Sequence, residues 1–385
     1  MRTFYEFFAG GGMARAGLGS DWQCVFANDI DPMKAQTYRC NWGDADLSLA
    51  DIQTLDAGRL PEQADLAWAS FPCQDLSLAG NYGGIGDAGD IKRTRSGTFW
   101  AFWHIMLELM EEGRGPRLIV LENVYGILTA KSGQNFAAIG QCFADAGYRF
   151  GAVVIDAVHF VPQSRPRVFI IGVRQDLDLP NNLHDSFSSK DWHPNSLVAA
   201  QQGLSLHAKR HWIWWRLPRP TSKVATLDVI VSDNPEGVRW HTEAETKRLV
   251  GMMSPLNVAK LDAMKKSGRR MIGTIYRRTR LGEQRSELRC DGVAGCLRTP
   301  SGGSSRQFVL VVKGSAVRSR LLSAREAAKL MGLPDWFTLP ENYNDAYHVA
   351  GDGVVVPVVR HLAMSLLEPI LIGTSNKLEH AHAAE

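Results

Sequence analysis

Over residues 1–175, short apolar runs rich in aromatic and β-branched side chains alternate with stretches of helical character, and nothing else constrains the fold as strongly. The candidate strands are Phe4–Phe8, Gln23–Asn28, Asp65–Ser70, Arg117–Leu121, Phe150–Asp156 and Val168–Val173, with helices between several of them, such as Phe99–Glu112 and Gln134–Ala146. Strands separated by helices pair in parallel, so the pattern predicts an α/β fold built on a doubly wound, mostly parallel sheet. A chain of 385 residues with 45% hydrophobic content can bury a sizeable core and divide into two domains. The character changes at residue 176. From there to 322, Pro, Gly, Trp and basic residues follow without clear periodicity, including His211-Trp212-Ile213-Trp214-Trp215-Arg216, and a second, smaller, irregular domain is expected. Regularity returns at Ser323, where a capping box with Glu326 opens a helix, and Val354–Ile372 reads as a further apolar helix. The expected division is therefore 1–175 plus 323–385 for the domain of the sheet and 176–322 for the other, with Lys377–Glu385 a frayed tail.

Composition excludes several classes. The apolar runs read as too short to cross a membrane, and the amino terminus enters Phe4-Tyr5-Glu6-Phe7-Phe8 too early for a secretory leader, so a cytoplasmic protein without a membrane partner is expected. Six cysteines with no C-x-x-C pair suggest neither a metal site nor a disulfide framework. The formal net charge of +3 does not by itself imply nucleic acid. Between Met264 and Arg306, however, eleven Lys or Arg face only Glu283, Glu287 and Asp291. Glycines interrupt this run, so the charge is expected on flexible loops suited to a phosphate backbone, although a merely solvated face is the plain alternative.

Two segments carry candidate chemistry. Phe71-Pro72-Cys73-Gln74 follows the apolar run Ala64–Ala69, which places a thiol at the carboxyl edge of the sheet, where open α/β sheets put their ligands. Cysteine is a strong ready nucleophile. Taken alone, Cys73 reads as a small buried packing residue, and it is the rest of the chain that turns the reading toward chemistry. The other segment, Phe8-Ala9-Gly10-Gly11-Gly12, makes a glycine-rich turn after the first strand, with Asp29 after the second and Asp51 before the third. Such acids accept hydrogen bonds from ribose hydroxyls. The spacing lacks the full G-x-G-x-x-G and there is no P-loop, so an adenosyl ligand without a pyrophosphate fits best.

At this point the chain resembles the DNA cytosine-C5 methyltransferase family, from Phe4 to about Leu366. Phe8–Gly12 looks like the cofactor loop, Pro72-Cys73-Gln74 the nucleophile motif, Glu122-Asn123-Val124 the acid motif and Gln163-Ser164-Arg165-Pro166-Arg167 the paired-arginine motif, all in family order. Arg289–Thr299 resembles the motif that braces the recognition domain, and Gly351-Asp352-Gly353-Val354 the last cofactor motif, with Asp352 where the family has Asn. The resemblance implies Cys73, Glu122, Arg165 and Arg167 as catalytic residues. It implies S-adenosyl-L-methionine as cofactor and S-adenosyl-L-homocysteine as product, held by Phe8, Ala9, Gly10, Gly12, Asp29, Ile30, Asp51, Ile52, Pro72, Phe99 and Val354. Double-stranded DNA is the implied partner, contacted by Gln74, Ser77, Arg277, Arg278, Arg280, Gln284 and Arg285.

Cytosine C5 is a poor nucleophile, so the implied reaction begins with a thiolate adding at C6. Cys73 would do this, Glu122 would serve N3, and Arg165 and Arg167 would hold the base oxygen and a flanking phosphate. A base inside a duplex exposes no face of C6, so it must be rotated out, with residues 176–322 reading base edges across a cleft. Trp212, Trp214 and Trp215 read as packing rather than as a base-stacking platform. A monomer is expected, with a separately encoded restriction endonuclease as a further partner. The rivals are a tRNA cytosine methyltransferase on the same scaffold, a catalytically silent DNA-binding protein and a Rossmann oxidoreductase.

Overall fold

The computed structural model describes residues 1–72, 97–221, 224–280, 282–299 and 306–373. They form two compact units, one of residues 1–155, 166–219 and 359–385, the other of residues 156–165 and 220–358.

The first unit is built on a seven-stranded sheet. Its strands are β1 (Arg2–Phe7), β2 (Trp22–Asp29), β3 (Leu47–Leu49), β4 (Leu66–Ala69), β5 (Leu118–Val124), β6 (Tyr148–Asp156) and β7 (Pro166–Arg174), in the order β3-β2-β1-β4-β5-β7-β6. The ladders from β3 to β5 are parallel and the β5–β7 ladder is antiparallel. Helices α1 (Met13–Leu18), α2 (Pro32–Trp42), α3 (Gly97–Glu111) and α4 (Gln134–Asp145) lie between the strands in sequence. β4 and β5 are apolar and buried almost throughout, as a sheet covered on both faces requires. From β1, Tyr5 and Phe7 share a core with Phe102 and Trp103 of α3 and Phe143 of α4. The opposite face of β1 carries Glu6, whose Oε1 accepts the Arg15 backbone N–H of α1 at 3.3 Å.

Residues 176–219, expected in the irregular domain, pack instead with this sheet. They contain β8 (His184–Asp185), α5 (Asn195–Gln202), α6 (Leu206–Arg210) and β9 (Trp214–Trp215). The physical reason is the open backbone of β6, the last strand in the order. Phe150 N–H donates to His211 O at 2.8 Å and Ile213 N–H donates to Phe150 O at 2.7 Å. A Cβ on Gly151 would lie 2.0 Å from Ile213 O, so only glycine permits this approach. Trp215 is fully buried, its indole N–H donating to Ile171 O at 3.3 Å, and Trp212 packs edge-on against Phe136 and Phe150. The tryptophans are packing residues.

The second unit is more regular than its sequence suggests. After α7 (Leu227–Ile230), α8 (Glu243–Gly251) and α9 (Pro255–Lys266) comes a four-stranded antiparallel sheet of β10 (Arg270–Arg280), β11 (Glu283–Arg289), β12 (Phe308–Lys313) and β13 (Ala316–Leu321), ordered β11-β10-β12-β13. Ile275, Leu288, Phe308 and Leu310 of the sheet share a core with Leu249, Leu261 and Met264 of α8 and α9. The basic residues expected on loops lie mostly on strands: Arg277, Arg278 and Arg280 on β10, Arg285 and Arg289 on β11. α10 (Ala324–Leu330) opens with the predicted capping box, and Glu326 also holds the fully buried Arg320 through two hydrogen bonds of 2.7 and 2.6 Å. α11 (Tyr343–Asp352) and α12 (Val356–Leu362) follow, α12 running on into a π-helical turn, Ala363–Leu367. Contrary to expectation, the stretch Tyr343–Gly373 is long and apolar enough to cross a membrane by length and composition. Half of its apolar window is buried within the protein, as in a core helix.

Candidate active site

The strand order reverses between β1 and β4, and ligands of such sheets sit outside the carboxyl ends of the strands at that point. Four segments with predicted roles end there. β1 leads into Phe8–Gly12, β2 ends at Asp29, β4 leads to Phe71 and Pro72, and β5 ends in Glu122-Asn123-Val124. Cys73, Gln74 and Ser77 lie outside the described residues.

The glycine-rich loop is bent by left-handed backbone at Phe8 (φ 58°), Gly10 (φ 56°) and Gly12 (φ 78°). For Phe8 that conformation is strained and needs support from its surroundings. Gly12 has no alternative, because Trp42 fills the space a Cβ would take and its indole N–H donates to Gly11 O at 3.0 Å. Asp29, only 7% exposed, holds the other side, accepting Gly10 N–H at 2.8 Å on one oxygen and Asp31 N–H at 2.9 Å on the other. Beside it the apolar Ile30 stands 62% exposed at the strand end. Asp51 is half-exposed and caps the short turn Ile52–Thr54 through Gln53 N–H at 3.0 Å. Ile52 and Phe99, at 3% and 1% exposure, sit in the core, Phe99 against Phe71, Trp100 and Trp103. They can shape a ligand site only from behind. Pro72 is exposed, and Val354 is a buried residue of the second unit.

Glu122 is 7% exposed, and its Oε1 lies 3.1 Å from Arg167 Nε across the β5–β7 ladder. The next residue, Asn123, does two jobs: its Nδ2 donates to Phe71 O at 3.1 Å, and its Oδ1 accepts Val124 N–H at 2.9 Å. It thereby ties the strand carrying the acid to the backbone two residues before Cys73.

Arg165 corrects an expectation. It was grouped with Arg167 as a group reaching the base or a phosphate, but it belongs to the second unit and is 2% exposed. Its Nη1 donates to Leu297 O at 2.9 Å and its Nη2 to Gly351 O and Gly353 O at 2.9 and 2.8 Å. A buried guanidinium needs acceptors, and here three carbonyls take its Nη donors, two of them in the Gly351–Val354 motif. Gln163 works alongside, fully buried, accepting Leu297 N–H at 3.0 Å and donating to Leu330 O at 2.8 Å. The sequence offered no sign of Asp156, whose carboxylate accepts Arg165 N–H at 2.7 Å and the Ser164 hydroxyl at 3.2 Å. Asp352 accepts the Thr299 hydroxyl and lies 3.0 Å from His348 Nε2.

Of the residues expected to touch DNA, Gln284 is exposed, while Arg278 is ion-paired to Glu287 at 3.0 Å and Arg285 to Glu283. Arg277 lies over the Phe308 ring, 5.0 Å from its centroid. No cluster of potential metal ligands occurs among the described residues.

A glycine-rich loop facing an acid on the next strand, at the reversal point of such a sheet, is the arrangement of the nucleotide-binding α/β enzymes. The model of the C-5 cytosine-specific DNA methylases matches residues 2–368, and the chain belongs to that family, the DNA cytosine-C5 methyltransferases. It is 25% identical over 381 residues to the type II methyltransferase M.BsuFI of Bacillus subtilis, covering 98% of this chain and 75% of that one. It is 27% identical over 281 residues to the orphan methyltransferase M.SPRI of Bacillus phage SPR, covering 70% of this chain and 60% of that one. Among solved structures, the Dnmt2 methyltransferase of S. pombe shares the fold with a TM-score of 0.57 at 17% identity, over 96% of this chain and 99% of the other.

Proposed function

We propose that this chain methylates C5 of a cytosine within a specific double-stranded DNA sequence, using S-adenosyl-L-methionine and leaving S-adenosyl-L-homocysteine. The observation that carries the reading is the tie from Asn123 to Phe71 O, which sets Glu122 and its Arg167 partner beside the backbone that leads into Cys73. The loop residues fit the cofactor. Asp29 keeps lone pairs for ribose hydroxyls, Ile30 offers an exposed apolar face for a base, and the space above Gly10 is open. Asp51 would add a second acceptor at that edge. When bound, the cofactor supplies an electrophilic methyl group.

The chain's own residues do the rest. The Cys73 thiolate adds to C6 of a cytosine rotated out of the stack, which makes C5 nucleophilic. Glu122 gives N3 its proton as the ring accumulates negative charge, and Arg167 holds Glu122 in place while offering donors to the base oxygen. After methyl transfer the C5 proton passes to solvent water, the C6–Sγ bond breaks to return the thiolate, and N3 gives its proton back to Glu122. Arg165 braces the Gly351–Val354 segment, whose Val354 is a cofactor residue by the family resemblance. Gln74 and Ser77 follow the nucleophile and would meet the DNA, and the sheet of the second unit would carry sequence recognition. Bisulfite sequencing of genomic DNA from a host expressing this chain tests the reading. Protected cytosines at one recurring sequence are expected; none above background in an expressing host would refute it.

A further inference from the structure

Two sets of arginines in the second unit differ in their electrostatic surroundings. Arg278 and Arg285, directly opposite each other on β10 and β11, are each neutralised by a carboxylate on the same strand pair, Glu287 and Glu283. Either would have to surrender an ion pair to bind an anion.

The other group lies at the end of the unit's core. Arg277 follows Ile275 on the same face of β10, and its guanidinium covers the ring of Phe308, which pairs with Ile275 across the ladder. Arg306 lies two residues before Phe308 and covers Tyr343, 5.8 Å from its centroid, with Nη2 donating to Asn344 Oδ1. Its backbone is fixed by the fully buried Gln307, whose N–H donates to the Tyr347 hydroxyl at 3.2 Å. Arg248 is exposed on α8 beside Leu249, which is buried in the same core as Ile275 and Phe308. The three are electrostatic neighbours: burial first, then the charges of Arg248 and Arg306, hold the Arg277 pKa below its ordinary value. No carboxylate pairs with Arg248 or Arg306 among the described residues, and residues 295–306 contain no acid at all.

Three guanidiniums gathered at one core edge repel one another, and stacking on aromatic faces fixes two of them in that repulsive arrangement. Such a cluster is stabilised when an anion binds. We infer that Arg248, Arg277 and Arg306 form a phosphate anchor for the DNA backbone, separate from the residues that read bases. The inference rests on the DNA reading above and narrows it, since neither Arg248 nor Arg306 is among the residues the resemblance implies for DNA contact, and Arg277, which is, takes a phosphate.

The test measures binding of the intact protein to a labelled duplex across a salt series. Arg248→Gln and Arg306→Gln should each weaken specific and scrambled duplexes alike and reduce the slope of log affinity against log salt by about one. Arg248→Lys and Arg306→Lys should restore the slope, which a merely structural role would not predict. Arg278→Gln and Arg285→Gln should change the slope less, because each cation is already compensated. A slope unchanged in Arg248→Gln and Arg306→Gln, with the parent protein still binding salt-dependently, overturns the anchor and leaves the DNA reading standing. A parent protein that binds no duplex at all overturns both.

Discussion

Glu6 is a carboxylic acid buried next to the last residue of β1, 1% exposed, and its Oε2 meets no hydrogen-bond partner. Burial pushes its pKa from 4.5 up to about 8, against the opposing pull of the Arg15 and Ala14 backbone N–H groups and the Arg15 charge. The folded protein therefore holds this proton more tightly than the unfolded chain does. Between pH 4.5 and 8 folding takes up a proton, so stability contributed here is present at low pH and lost as pH rises, at up to about 1.4 kcal/mol per pH unit. The full loss, reached above pH 8, is about 5 kcal/mol, of which about 2 kcal/mol falls between pH 6 and pH 8. Glu6→Gln keeps the acceptor for Arg15 N–H and cannot ionise. Its buried amide donors bring a penalty of about 1–3 kcal/mol that does not vary with pH, so slopes rather than absolute stabilities carry the comparison. Urea unfolding followed by tryptophan fluorescence at pH 6 and pH 8 should show the parent protein losing about 2 kcal/mol more than Glu6→Gln over that interval. Equal losses would show that Glu6 is charged throughout and that the cap on α1 is an ordinary carboxylate.

Cys73→Ser should abolish methyl transfer from tritiated cofactor while leaving the fold intact by circular dichroism, since an alcohol is a far weaker nucleophile at neutral pH; a covalent adduct between the serine variant and a fluorinated-cytosine duplex would remove Cys73 from its role. Glu122→Gln should lower single-turnover rates by about 10²–10⁴, and near-parental rates would mean that N3 receives its proton from elsewhere. Gly151→Ala places a Cβ 2.0 Å from Ile213 O, so the 211–215 segment must move off β6. A loss of about 1–3 kcal/mol in thermal or urea unfolding is expected, and an unchanged melting temperature would refute that pairing.

The six strands read from the sequence all exist, with ends shifted by no more than three residues, because each is an apolar run bounded by turn residues. β3 escaped because Leu47–Leu49 is only three residues long and half-exposed. The antiparallel sheet was obscured differently. β10 places arginines on both faces of one strand, so period-two alternation disappears, yet Phe308–Lys313 and Ala316–Leu321 are joined by Gly314-Ser315, with Gly314 at φ 56°. That is a hairpin signal that composition drowned out. The 211–216 segment was misplaced because its partner is an edge strand, and edge pairing leaves no trace in local periodicity. The site was legible through residue types, since a buried acid, a paired arginine and a glycine loop are chemically conspicuous. Asp156 was not, because a carboxylate that only accepts backbone and hydroxyl donors looks like any loop aspartate.

The two arginines of Arg165-Pro166-Arg167 show why a motif does not assign roles by itself. Pro166 begins β7 and disfavours a helical Arg165, which stays outside the ladder, so its side chain serves the carbonyls of Leu297, Gly351 and Gly353 and not the strand. Arg167, inside β7 and opposite Val124, comes within reach of Glu122. Identical side chains two positions apart thus meet opposite demands. Arg165 meets three carbonyls with its Nη donors, and Arg167 meets a buried acid with its Nε. The first arrangement fixes the backbone of the Gly351–Val354 segment, and the second keeps an acid at the sheet edge beside the backbone that Asn123 ties down. The different roles follow from position, because Pro166, which has no N–H to give a ladder, stands between a residue of the second unit and one inside β7.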